Sequence, residues 1–422
     1  MRFLFRQLSY DLNANLLLRP ALWLAGCVLL AFALPAVERE WLREIHTLQP
    51  FLELLRLEPG TAQTLLSTLA GSMMSVVSVV YSILLVALSL ASMQFSTRIL
   101  AGFVRDRFSQ QVLGLFIGTF AYCLSLLRSI QSDPADVPGL AVAFAMLLAL
   151  LSLGSLVLFI HHMVMGIQAN VIVDRIATET EGVIAAVFPE QPEPERTGVA
   201  VGSRLVFAPR AGYLQLMDIE GMLRLSGGKS IEVLRPMGSF VSRATALFRV
   251  DTPPALDAEL VAMVDIGPFR TMQDDVEFGF RQIVDIGLKA ISPAVNDPST
   301  GATCIDHLGR LLGDVARRHP PRRCHGAQGN LVIPNTSFAD LLDLSVDQLR
   351  QYGKADMAIC LRLMRTLGDV APFVREPADR DRLHMHARMI LESAVKNFPE
   401  LDCAELHRRH AVIVGETQTA TE

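Results

Sequence analysis

The chain has 422 residues, 51% of them hydrophobic and only 19% charged, with a mean hydropathy of +0.35. These proportions exclude an ordinary water-soluble protein and place much of the chain in a membrane. The balance of 38 basic against 43 acidic residues leaves a net charge of −5, so nothing points to nucleic acid as a partner. Cys27, Cys123, Cys304, Cys324, Cys360 and Cys403 contain no Cys-x-x-Cys pair and read as isolated thiols, not as a disulfide framework.

Residues 1–19 carry Arg2, Arg6 and Arg19 and form a basic N-terminal segment. A helix crosses a hydrocarbon core of about 30 Å with roughly 20 apolar residues. Four stretches approach or exceed that length. The first is uncharged from 20 to 37, the second from 59 to 97 and the fourth from 137 to 173, whereas the third, about 111–130, is interrupted by Arg128. A signal peptide is the competing reading of the first stretch; its long leader and the spans that follow favour a retained helix. At 1.5 Å per residue the second run would extend about 58 Å, nearly twice the hydrocarbon thickness. Residues 20–190 are therefore read as four membrane helices, the second and fourth prolonged as stalks, with His161 and His162 near the inner boundary. Arginines before the first span, and Arg98, Arg105 and Arg107 between the second and third, place both termini on the cytoplasmic side.

From 191 to 254 short apolar runs broken by Gly and Pro read as a small β domain. Its order, PRAGYLQLMDIEG and then RPMGSFVSRATALFRV, resembles the half-repeats of biotinyl and lipoyl barrel-sandwich hybrids. Lys229 lies in GGKS rather than in a Met-Lys hairpin, so no covalent cofactor is expected. Residues 255–415 show helical periodicity, with cap signatures at Ser337/Asp340 and at Asp297-Pro298, and 416–422 read as a flexible tail.

Three segments carry a family resemblance: the second span with its approach (PGTAQTLLSTLAGSMMSVVSVVYSILLVALSLASMQFSTRIL), GYLQLMDIE, and FGFRQIVDIGLKAISPAVNDPSTG. Together they resemble the bacterial membrane proteins grouped as domain of unknown function 2254, over roughly residues 10–400. The resemblance implies an integral inner-membrane protein with a cytoplasmic portion, and implies no activity.

Catalytic signatures are missing from the sequence: there is no Gly-x-Ser-x-Gly, His-Glu-x-x-His or phosphate-loop pattern. The chain is therefore expected not to be an enzyme. Asp274, Asp275 and Glu277 read as partners of a helix N-terminus. Cys403, His407 and His410 share a helix face, but they lack the companion pattern a zinc site needs, and no metal is expected. Arg281, Asp285 and Lys289 form an i, i+4, i+8 ladder. With Ser299 and Thr300 at the opening of the next helix, Arg281 and Lys289 make a candidate anion site, although Asp297 would compete for the same donors.

The sharpest pattern lies in the second span. Thr68, Ser75, Ser82, Ser89 and Ser96 recur every seven residues, and Ser78 and Ser92 sit at intermediate positions. A small, hydroxylated membrane-helix face serves either close helix packing or the lining of a water-filled path. Gly114 and Gly118 add a small-xxx-small pair in the third span. No Asp, Glu, Lys or Arg falls within the span interiors, which disfavours a pump or proton relay. The expected protein is thus a homo-oligomeric, channel-like conduit in the bilayer, passing a small ion. The rival is a non-conducting scaffold or sensor whose cytoplasmic part binds a partner or an anionic ligand. Reporter fusions after Glu44, Arg105 and Gly415 are expected to read outside, inside and inside; an outside signal at Gly415 contradicts the four-span topology.

Overall fold

The computed structural model describes residues 18–38, 40, 57–94, 106–132, 137–166, 168–192, 194, 202–326 and 329–415. The chain is mostly helical and divides into two compact units, Met1–Gln168 and Ala169–Glu422.

The first unit contains α1 (Leu18–Val37), α2 (Pro59–Gln94), α3 (Arg107–Ser132) and α4 (Gly139–Gly166). Each is long and apolar enough to cross a membrane. The helix α2 runs for 36 residues, about 54 Å at the usual rise, so it exceeds the hydrocarbon thickness as its sequence suggests. Burial is concentrated in α3, where 56% of the span is enclosed, against 22% for each of the other three. Its glycines explain how α1 comes so near. A Cβ at Gly114 would fall 2.6 Å from Trp23 Cδ1, and one at Gly118 would fall 2.7 Å from Cys27 Sγ. This is the close backbone approach that small residues permit between membrane helices. On the α4 side, Tyr122 donates its hydroxyl to the Ala141 carbonyl at 2.9 Å, and the buried Thr119 and Ser152 hydroxyls meet at 3.2 Å. Glu38, also buried, accepts from the Leu140 amide at 3.1 Å and so serves a backbone donor at the start of α4.

The second unit opens with α5 (Ala169–Val187). The sequence reading makes these residues a stalk continuing the fourth span. They form instead a separate helix after Gly166, grouped with the second unit. The reason is local composition: Asp174, Arg175, Glu179 and Glu181 interrupt the apolar run, and buried Ile172, Ile176 and Ile184 give α5 a one-sided apolar face.

Two small sheets follow. Their strands are β1 (Arg204–Phe207), β2 (Gly212–Met217), β3 (Ile231–Val233), β4 (Phe240–Val241), β5 (Ala246–Val250), β6 (Val264–Gly267), β7 (Cys324–His325) and β8 (Leu331–Val332). One sheet runs β1-β5-β3-β8-β7 and the other β4-β2-β6; β3 and β8 pair in parallel, the other neighbours antiparallel. Alternation is clear in β2, whose Gly212, Leu214 and Leu216 are buried. Val206, Leu214, Ile231, Phe248 and Leu331 share one core. The β region extends beyond the 191–254 boundary read from sequence, because β6, β7 and β8 join it from later in the chain. Strands of two residues are too short to show an alternating pattern. The structure also inserts α6 (Ile219–Ser226) after β2, capped by Asp218 and ended by Gly227 in the left-handed region. A further short helix, α7 (Asp257–Ala262), precedes β6.

The remaining helices are α8 (Val276–Ala290), α9 (Pro298–Arg317), α10 (Phe338–Gly353), α11 (Met357–Val370), α12 (Pro377–Asn397) and α13 (Glu400–Val414). Both α8 and α9 pack on α5. The caps legible in the sequence are present: Ser337 and Asp340 form a reciprocal box on α10, and Asp297 caps α9 with Pro298 in its first turn.

Candidate functional site

The hydroxyl line of α2 acquires its meaning from the residues that α2 buries. Leu66, Met73, Val80 and Ala87 recur at seven-residue steps, and Ala70 and Val77 fill the intervals of four. This apolar seam faces the other helices of the first unit, with Leu66 and Ala70 in one core and Val77, Val80 and Ala87 in another. At 3.6 residues per turn, a position two residues further on lies about 200° around the helix. Thr68, Ser75, Ser82 and Ser89 occupy that position relative to Leu66, Met73, Val80 and Ala87. All four are exposed, as is Ser78. The intrachain bundle therefore leaves the hydroxyl line outside. The side chain of Ser92 and the whole of Ser96 lie outside the described residues.

Each hydroxyl from the start of the line to Ser82 donates to its own helix. Thr68 reaches the Thr64 carbonyl at 2.7 Å, Ser75 the Gly71 carbonyl at 3.2 Å, Ser78 the Met74 carbonyl at 3.1 Å and Ser82 the Ser78 carbonyl at 2.9 Å. A donor satisfied in this way can enter an apolar medium without an orphaned proton, and the oxygen keeps acceptor capacity. Bulky residues flank the line: Met74, Val79, Tyr81, Leu85 and Val86 are also exposed. Towards the N-terminal end, Gly60, Thr61, Thr64 and Thr68 line an open groove of about 510 Å³ with Leu65 and Leu69.

A second polar cluster stands at the start of α3. Asp106 accepts from the Ser109 amide at 2.9 Å and hydroxyl at 2.5 Å, and lies 3.1 Å from His162 Nε2. Burial works against the Asp106 charge, but the Ser109 and His162 contacts outweigh it and hold the carboxyl below the usual range. His162, read from sequence only as a boundary marker, ties α4 to α3 here. The partner, 56 positions away, gives no local signal.

In the second unit, two of the candidate anion residues are engaged by neighbouring side chains. Arg281 donates to Gln348 on α10 at 2.8 Å. Thr300 donates its amide at 3.1 Å and its hydroxyl at 2.6 Å to Asp297, so the carboxylate takes the donors an anion would need. Hydrogen bonds from Thr300 lower the Asp297 pKa. Ser299 is exposed beside this cap, and Lys289 closes α8. Elsewhere Asp275 caps α8, accepting from Phe278 at 3.1 Å and pairing with Arg270, which Glu277 also approaches at 3.6 Å. Cys403 is buried while His407 on the same helix is exposed.

A family described as predicted membrane proteins, domain of unknown function 2254, matches residues 13–369. The chain belongs to this family. An uncharacterized protein of Mycobacterium bovis is 30% identical over 385 residues, which cover 86% of this chain and 73% of the relative. An uncharacterized protein of Mycobacterium tuberculosis strain H37Rv is similar to the same extent. No solved structure matches the chain. Membership agrees with the three motif segments. The most distinctive of them, FGFRQ to NDPST, forms α8, the turn after it and the cap of α9.

Asp297→Ala is expected to lower unfolding stability by about 0.5 to 2 kcal/mol near neutral pH, the usual loss for an N-cap. The Asp297 pKa is depressed in the folded state, so its contribution is present above the unfolded value of about 3.9 and is lost as pH falls through the folded value. Denaturation curves of the two proteins should therefore converge on acidification.

Proposed function

We propose that the protein is a homo-oligomeric passive conduit of the bacterial inner membrane, in which α2 helices from several copies turn their hydroxyl lines towards a shared axis. The observation that carries this reading is the position of the line on the side of α2 opposite its intrachain seam. A small, hydroxylated face gains little from lipid tails and much from the close approach of another helix. Both heptad lines drift by about 20° per heptad on a straight helix, so a left-handed supercoil keeps both aligned over four repeats. Closed symmetric rings are the common way to enclose a path with few spans. In this reading Thr68, Ser75, Ser78, Ser82, Ser89, Ser92 and Ser96 face the path and a small ion is the cargo. Both termini and residues 169–422 are cytoplasmic, the β region serves structure or docking, and no catalysis is assigned.

One observation favours the rival, a non-conducting scaffold. The hydroxyl protons already have acceptors on their own helix, and so tolerate a dry seam between copies. The two readings separate experimentally. Ser75→Cys, Ser82→Cys and Ser89→Cys, in a background carrying Cys27→Ala and Cys123→Ala, should react with a water-soluble thiol reagent in membranes. Ser82→Leu should abolish conductance in reconstituted bilayers. Inert thiols, with Ser82→Leu merely dissociating the oligomer, would replace the conduit with the scaffold.

A further inference from the structure

Within the second unit, α9 and α11 enclose a cleft of about 510 Å³ that also reaches Phe373. Its residues come from one face of each helix: Asp306, Arg310, Gly313 and Arg317 on α9, and Arg362, Arg365 and Asp369 on α11. Four arginines stand against two aspartates in that lining. Their commitments differ. Arg310 is locked to α5, donating to Glu181 at 2.6 Å and to Asp174 at 3.0 Å. Among the described residues, Arg362 and Arg365 make only long contacts, 3.4 Å to Asp306 and 3.6 Å to Asp369, between groups that remain substantially in water. Pairs of that kind hold weakly and exchange readily for a better anion. Arg317 has no hydrogen-bond or ion-pair partner among the described residues; its guanidinium lies over the Phe373 ring, 4.0 Å from the centroid.

Gly313 supplies an independent observation. It is buried within a helix, yet a Cβ built there would meet nothing within 4 Å. The buried Gly287 is different, since its Cβ would sit 3.0 Å from Leu349. Glycine weakens a helix interior relative to alanine. At Gly313 no close neighbour compensates that weakness, and what the missing side chain preserves is open space in the cleft.

We propose that this cleft binds a nucleotide, with the base against the Arg317–Phe373 stack and the phosphates on Arg365 and Arg362. From Asp306 to Arg317 the α9 wall extends about 16 Å at the usual rise. A single phosphate cannot reach both ends. A ligand that is planar at one end and polyanionic at the other can do so. Guanidinium groups suit both ends: they stack face-on with planar rings and donate forked hydrogen bonds to phosphate oxygens. The cleft volume falls within the range of small-molecule sites, roughly 300 to 1,000 Å³. The inference does not rest on the conduit reading, because every residue it uses lies in the second unit.

The test uses the full chain in detergent micelles, titrated with ATP, GTP and inorganic triphosphate by calorimetry at two salt concentrations. At least one nucleotide should bind saturably, more weakly at the higher salt, and Arg362→Gln with Arg365→Gln should reduce the affinity by about tenfold or more. Arg317→Gln should weaken the nucleotide several-fold while leaving inorganic triphosphate unchanged. Gly313→Leu, which alters no charge, should abolish nucleotide binding. Gly313→Ala should raise the thermal midpoint while weakening binding, a split that a purely structural glycine would not produce. Absence of nucleotide binding, or binding unaffected by Gly313→Leu and by the paired arginine substitutions, overturns the site. Equal affinity for inorganic triphosphate with no effect of Arg317→Gln overturns the nucleotide assignment.

Discussion

The enclosure of α3 is the constraint from which the membrane unit follows. Its glycines bring α1 within van der Waals reach, and its Tyr122 and Thr119 bind the partly polar face of α4. The apolar seam of α2 contributes to the same cores as α3 residues on either side of Gly118. Once α3 is surrounded, each neighbour has one face committed and another left over. For α1 and α4 the large exposed side chains are mainly leucine and valine, suited to lipid. For α2 the remaining face includes a row of hydroxyls and small residues. The proposed assembly of several copies rests on that asymmetry rather than on the hydroxyls alone.

Among the described residues of the first unit, several polar groups fasten helix to helix or serve a helix start. Glu38 serves the start of α4, Asp106 serves the start of α3 and reaches His162, and Thr119 meets Ser152. The Thr119–Ser152 contact, buried inside the spans, satisfies hydroxyls where no water is on offer. The second unit follows different rules. Several of its helices are amphipathic and capped by side chains, and its arginines range from Arg310, fixed by two carboxylates, to Arg365, held loosely, and Arg317, stacked on a ring.

What could be read from the sequence was local or long. The four spans were legible because each sustains apolar character for the length of a bilayer. The caps at Asp297 and at Ser337 with Asp340 were legible because donor and acceptor lie three residues apart. The heptad of hydroxyls stood out against an apolar background. Its counterpart at Leu66, Met73, Val80 and Ala87 did not, since in a span apolar all round no pattern distinguishes the buried seam from the faces that meet lipid. The strands β7 and β8 were hidden by their shortness. The arginine cleft was hidden by separation: Arg317 and Phe373 are far apart in sequence, and only the parallel course of α9 and α11 brings them together. At the anion site expected from Arg281, Lys289, Ser299 and Thr300, the cap at Asp297 takes the amide and hydroxyl of Thr300.

The account stands or falls on whether the outer face of α2 meets other copies of itself. Oxidative cross-linking of the full chain in membranes tests this directly, using Ser75→Cys, Ser82→Cys and Val80→Cys in a background carrying Cys27→Ala and Cys123→Ala. Positions 75 and 82 lie on the hydroxyl line, and Val80 is wholly buried in the intrachain seam. Disulfide-linked dimers at 75 and 82 and none at 80 are the predicted result. Monomers at all three positions would mean that the hydroxyl line faces lipid, and would contradict the assembly.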